Sequence, residues 1–165
     1  MSYPEPRYFA ERGEVSGVYR PSGQEAELTI GGPAGTVVRY LATGASTGGL
    51  YGLYRWEMGT RPSGPSAHFH RTISESFYVL SGTMRFYDGA RWVEGTSGDF
   101  LHVPPGGVHA FRNESGEPAS MLLHFAPGAP REAYFEELAE IAETGRTLTE
   151  EEWADVYARH DQYMV

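Results

Sequence analysis

The chain has 165 residues, enough for one domain with a real core and crowded for two. It contains no cysteine and no lysine, which excludes disulfides, thiolate metal sites, cysteine nucleophiles, Schiff-base chemistry and the lysine of a phosphate-binding loop. The net charge of −9 is uneven: residues 1–126 carry 12 acids against 10 arginines, residues 127–165 carry 10 acids against 3, and no basic stripe suits nucleic acid or an anionic membrane.

The opening segment MSYPEPRYFAERGEVSG lacks a basic stretch followed by an apolar run, and no part of the chain approaches the about 18 apolar residues that span a bilayer. A cytoplasmic protein is expected. From about residue 15 to 125, short β-type runs alternate with Gly, Pro and Ser clusters, at 36–42, 50–58, 67–70, 76–80, 83–87, 91–94, 99–103, 108–112 and 120–125. Short strands at such regular spacing predict a sandwich or barrel. Asp88-Gly89 supplies the positive φ angles of a tight hairpin between TMRFY and ARWVE, making those strands antiparallel neighbours. Gly44-Ala45-Ser46-Thr47-Gly48 matches the nucleophile elbow of hydrolases, but that elbow needs a strand-to-helix turn and neither flank reads as helix, so a loop is expected.

After Pro127 the periodicity changes. Residues 130–144 place Tyr134, Leu138 and Ile141 on one helical face, with Pro130 near the first turn and Gly145 just past the end. Thr149 and Glu152 stand at capping-box spacing before Trp153, Val156, Tyr157 and His160, the signature of a second helix. Both helices are expected to pack on the β-domain or on a second subunit.

Four side chains able to bind a cation fall within the β region: His68, His70, Glu75 and His109. Residues two apart on a strand share a side, so His68 and His70 point the same way. Glu75, Phe77 and Val79 share a mostly apolar face that looks inward. A tight turn at Pro104-Pro105-Gly106-Gly107 sends His109 and Phe111 back beside the first histidines. Three imidazoles and one carboxylate then converge inside a barrel, a set that suits Fe, Ni, Co, Mn, Cu or Zn. His102 shares a face with Phe100, opposite Leu101 and Val103, and is a candidate pocket residue together with Phe77 and Phe111. His124 and His160 read as ordinary histidines.

The spacing of these residues resembles the two sequence motifs of the cupin family. His68, His70, Glu75 and Gly82 stand at the intervals of the first motif, although Pro62 occupies the place of its leading glycine and Gly64 follows two residues later. Gly98, Pro104, Gly106, His109 and Asn113 match the second motif throughout. The resemblance implies a mainly β protein: a cupin jelly-roll barrel over residues 1–126 with N-terminal strands, and two C-terminal α-helices over 127–165 packed on it without forming a separate domain. It also implies one divalent transition metal held by His68, His70, Glu75 and His109, and a homodimer.

The ESFYVLSG stretch and the APG…YFEELAE tail resemble single-domain cupins of the quercetin-dioxygenase-like group. That likeness implies cleavage of a flavonol or related enolic aromatic molecule by O2, with Glu75 as ligand and general base. The alternatives are a non-redox metal-dependent cyclase or isomerase, and a small-molecule-binding module without catalysis. No nucleic-acid or membrane partner is expected.

Overall fold

The computed structural model describes residues 2–32 and 35–165. In chain order the strands are β1 (Leu28–Ile30), β2 (Thr36–Ala42), β3 (Gly52–Met58), β4 (His68–Phe69), β5 (Ser74–Ser81), β6 (Thr83–Tyr87), β7 (Trp92–Thr96), β8 (Phe100–Val103), β9 (Ala110–Arg112) and β10 (Ala119–Ala126). Helices α1 (Arg131–Thr144) and α2 (Glu150–Arg159) follow, then a short strand β11 (Tyr163–Met164). A six-stranded antiparallel sheet runs β1-β2-β3-β10-β5-β8 and faces a three-stranded sheet β7-β6-β9, with β11-β4 as a separate pair. This is the jelly-roll arrangement, mainly β with two helices after it.

Strict alternation explains the layer between the sheets. Along β3, Gly52, Tyr54, Trp56 and Met58 are buried, while Leu53, Arg55 and Glu57 are half-buried on the other side. On β10 the inward residues Met121 and Leu123 pair directly with Trp56 and Tyr54. Each such large side chain removed from water contributes roughly 1.5–3 kcal/mol. Charge is kept outside: Arg39 and Glu57 form an ion pair at 2.9 Å on the outer face of the same sheet.

Glycine is required where strands approach most closely. Gly64 has φ 141°, and a Cβ there would lie 2.0 Å from the Phe111 carbonyl oxygen, so only hydrogen fits. Gly82 turns β5 into β6 at φ 74°, where a Cβ would meet Pro118 O at 2.5 Å.

The hairpin between β6 and β7 is wider than Asp-Gly alone predicts. Tyr87 pairs with Trp92, leaving four loop residues. Gly89 takes the positive φ, while Asp88 stays out of the left-handed region and its carboxylate accepts the backbone N–H groups of Ala90 and Arg91, each at 2.9 Å. Asp88 therefore builds the turn through its side chain. Gly44–Gly48 lies in the loop joining β2 to β3, where Ser46 exchanges hydrogen bonds with Thr43.

Both helices cap as the sequence predicts. Gly145 ends α1 in the left-handed conformation, and Thr149 with Glu152 forms the complete capping box of α2. The buried face of α1 is centred elsewhere than expected: Arg131, Tyr134, Phe135 and Ala139 are inside, with Leu138 and Ile141 at the margin. Phe135 packs edge-on against Trp56 and Tyr54, with ring centres 5.0 and 5.3 Å apart. The helices thus close one side of the space between the sheets. The first strand starts at Leu28, and the described residues before it form no strand or helix.

Candidate metal centre

Three pieces of backbone bring the cation-binding side chains together. His68 and His109 form a reciprocal backbone pair: His68 N–H donates to His109 O at 3.0 Å and His109 N–H to His68 O at 2.8 Å. Their rings are consequently neighbours, with centres 4.4 Å apart. The His70 carbonyl accepts the Gly106 N–H at 2.7 Å, tying the turn before His109 to the first histidine strand. Glu75 enters from β5, flanked by Phe125 on β10 and Val103 on β8. All four side chains are buried, and one ligand atom from each lies within 4.8 Å of all the others.

The protonation of the rings follows from their outer partners. His68 Nδ1 lies 2.8 Å from Ser66 O, His70 Nδ1 2.6 Å from Asp161 O, and His109 Nδ1 3.0 Å from Gly107 O. A carbonyl only accepts, so each Nδ1 carries the hydrogen, and in the neutral ring Nε2 holds the lone pair. His70 Nε2 and His109 Nε2 in turn approach Glu75 Oε2 at 3.1 and 2.9 Å. Two lone pairs facing a carboxylate repel unless a cation sits between them, whether a proton or a metal ion. The electrostatics agree. Burial alone would raise the Glu75 carboxyl, but hydrogen bonds from His109 and His70 hold it well below the usual range. Burial opposes charge on His109, yet the Glu75 partner raises it above the ordinary histidine value. Burial, with the charge of His109 beside it, pushes His68 down to about 4. Three imidazole lone pairs and a carboxylate around one point fit a divalent transition metal.

The centre opens into a cavity of about 270 Å³, into which His68 and Glu75 project. Trp56, Phe111, Phe125 and Phe135 line it, and residues beyond the barrel complete the wall: Arg131 and Tyr134 from α1, Tyr157 from α2, then Gln162 and Met164. Of the three pocket residues read from sequence, Phe111 is in this wall. Phe77 is not: it is fully buried behind, packed between Phe86, His109 and Phe111. His102 is a correction as well, because Val103 takes the inward position and His102 stands exposed on the outer face, where its Nδ1 lies 3.0 Å from Ser76 Oγ. His160 pairs with Glu137 at 2.8 Å, and His124 lies beside Tyr51. Asn113, the end of the second motif, is a clamp. Its amide donates to Gly59 O and Glu117 O and its oxygen accepts from Ser115.

Two features of the site were not anticipated. The strand β11 pairs with β4, Tyr163 against Phe69 and Met164 against His68. Just before it, the Asp161 carboxylate accepts the N–H groups of Arg71 and Thr72 while its carbonyl holds His70. The other is Arg131, 4% exposed. A sequence signal for it existed: a lone arginine in the first turn of an otherwise acidic helix opposes the positive end of the helix dipole, a local disagreement that marks a residue kept for another reason.

Comparison with known proteins agrees with this architecture. Residues 54–125, which contain all four cation-binding side chains, match the cupin domain family. An RmlC-like cupin from Shewanella frigidimarina superposes with a TM-score of 0.55 at 18% identity, over 68% of this chain and 93% of that one. KdgF from Halomonas sp. gives 0.52 at 16% identity, over 59% and 84%. The chain thus has the cupin fold, and residues 54–125 are similar to the cupin domain family. Its buried histidines and glutamate form a group whose ligand atoms lie close enough together to hold a metal ion. A stretch of 48 residues is 40% identical to quercetin 2,3-dioxygenase of Bacillus subtilis, spanning 29% of this chain and only 14% of that protein.

Proposed function

We propose that the protein is a metal-dependent oxygenase that uses O2 to cleave an enolic aromatic small molecule, in the manner of the quercetin-dioxygenase-like cupins. The observation that carries this reading is a buried three-histidine, one-glutamate set opening directly into an aromatic-lined cavity. The partial identity to quercetin 2,3-dioxygenase supports the reaction class. His68, His70, Glu75 and His109 would hold the ion. Bound there, a redox-active divalent metal supplies Lewis acidity toward an enolic oxygen and electron transfer to O2.

The protein's own part is proton handling and the lining of the cavity. Glu75 Oε2 is the oxygen engaged by His70 and His109, and no hydrogen bond to Oε1 occurs among the described residues, which leaves that oxygen to take the proton of an enolic hydroxyl. Hydrogen bonds at Oε2 from His109 and His70 hold Glu75 ionised, the state in which a carboxylate can accept a proton. Trp56, Phe111 and Phe135 give the cavity an aromatic lining beside that carboxylate.

The test is elemental analysis of untagged protein followed by O2-electrode assays with quercetin and related enols. Near one redox metal per chain with substrate-dependent O2 uptake is expected, and Glu75→Gln should lower turnover about 10²–10⁴-fold. Metal without O2 uptake for any enol would overturn the oxygenase reading in favour of a non-redox cyclase or isomerase. No metal after reconstitution would leave a binding module.

A further inference from the structure

The guanidinium of Arg131 lies in the wall of the cavity without a counter-ion. Its Nη1 donates to His160 O at 2.7 Å and its Nη2 reaches Gln162 Oε1 at 3.4 Å, while Nε is buried with no partner. Two of five N–H groups are therefore engaged, one of them weakly. Among the described residues no carboxylate lies within ion-pair distance of it. Its flat faces rest on aromatic rings, Tyr134 at 4.6 Å, Phe125 at 5.1 Å and Phe135 at 5.7 Å, which fix the plane and leave the edge as the reactive direction.

Charge accounting shows what is missing. The other charged side chain in the cavity wall is Glu75. With a divalent ion in the His/Glu set, the cavity would hold +2 from the metal, −1 from Glu75 and +1 from Arg131, an excess of two positive charges beside aromatic rings. Buried charge of one sign persists only where an opposite charge arrives to match it. A planar fork with free N–H groups matches a carboxylate in particular, which accepts two parallel hydrogen bonds. The chamber, about 270 Å³, lies just below the usual range for drug-sized ligands of about 300–1,000 Å³, which favours a small molecule.

We infer that the cavity takes a small aromatic acid, whose carboxylate pairs with the edge of Arg131 while its ring lies among Trp56, Phe111 and Phe135. This rests on the reading of the cavity as the substrate site and narrows its substrate class from enolic aromatics to acidic ones. Arg131 is then the specificity-determining anchor, contributed by the segment that follows the barrel.

The test is calorimetric binding of benzoate and of benzamide, equal in shape and different in charge, to zinc-loaded protein and to protein stripped with chelator. Benzoate should bind about ten- to hundredfold more tightly than benzamide in both forms. Arg131→Met should abolish the preference and Arg131→Lys retain part of it, with circular dichroism confirming that each variant is folded. The comparison of the two ligands on the unaltered protein stands even if a variant fails to fold. Equal binding of the two, binding of neither, or a preference for benzoate that survives in folded Arg131→Met would overturn the inference. Metal content and O2 uptake are read separately, so loss of the oxygenase reading and loss of the anion anchor are distinguishable.

Discussion

The cavity has two walls of different origin. The proposed metal wall is polar, comes from β4, β5 and the segment before β9, and its three imidazoles are each held at Nδ1 by a backbone carbonyl while Glu75 is held by two of them. The opposite wall comes from α1, α2 and the residues after them, and its heteroatoms are confined to Arg131, the Tyr134 and Tyr157 hydroxyls, Gln162 and the Met164 sulfur. On the metal wall position is fixed by hydrogen bonds with direction; on the far wall it is fixed by ring-on-ring packing, which adapts. On the proposed function, chemistry would fall to the hydrogen-bonded wall and choice of ligand to the other.

The largest way to break this division is to remove a ligand. Alanine at His68, His70 or His109 should each reduce retained metal to below about a tenth of an ion per chain after dialysis, with the barrel still folded by circular dichroism. Undiminished metal in all three variants would show that the polar wall is not a metal site. On the far wall, Phe135→Ala should cost about 3–5 kcal/mol in denaturant unfolding, because Phe135 joins the helix to Tyr54, Trp56 and Phe125. The same variant should leave metal content alone; a parallel loss of metal would merge the two walls into one.

A finer probe is Asp161, the point where the far segment grips the metal wall. It holds φ 54°, and its carboxylate and carbonyl both reach the His70–Thr72 stretch. Asp161→Ala should weaken zinc affinity about tenfold in a competition titration, whereas Asp161→Asn, which tolerates the same backbone, should lose less. Equal, unchanged affinities would mean that His70 needs no such support.

A further probe concerns pH in the metal-stripped protein. His68, pushed down from 6.5 to about 4, is neutral in the fold and charged in the unfolded chain between those values. Stability therefore falls as pH drops through that window, on the order of 3 kcal/mol in total. His109 is raised, so its contribution is complete below 6.5 and is lost as pH rises through its folded value. Melting temperature should peak near pH 6.5 without metal, and a flat profile would separate these rings from the stability of the fold.

Legibility divided along the same line. The metal wall was readable because strand alternation and two motifs fix His68, His70, Glu75 and His109 locally, each within a few residues of its neighbours in the pattern. The far wall was not, since which face of a helix is buried depends on what it meets: Phe135, next to the expected Tyr134, turned out to be the centre of the packing. Strand β11 is two residues long and has no alternation to read; its partner lies more than 90 residues away. His102 failed for a related reason, because only the pairing Ser76↔His102 in the folded sheet decides that it faces outward.

The matched cupin domain ends at residue 125, while Arg131, Tyr134, Phe135, Tyr157 and Gln162 all follow it. Exchanging the chain after residue 125 would replace the far wall of the cavity and, with it, the Asp161 carbonyl that holds His70 Nδ1. The barrel motifs alone therefore specify only one side of the cavity, and the shape of its other side is set by residues those motifs do not include.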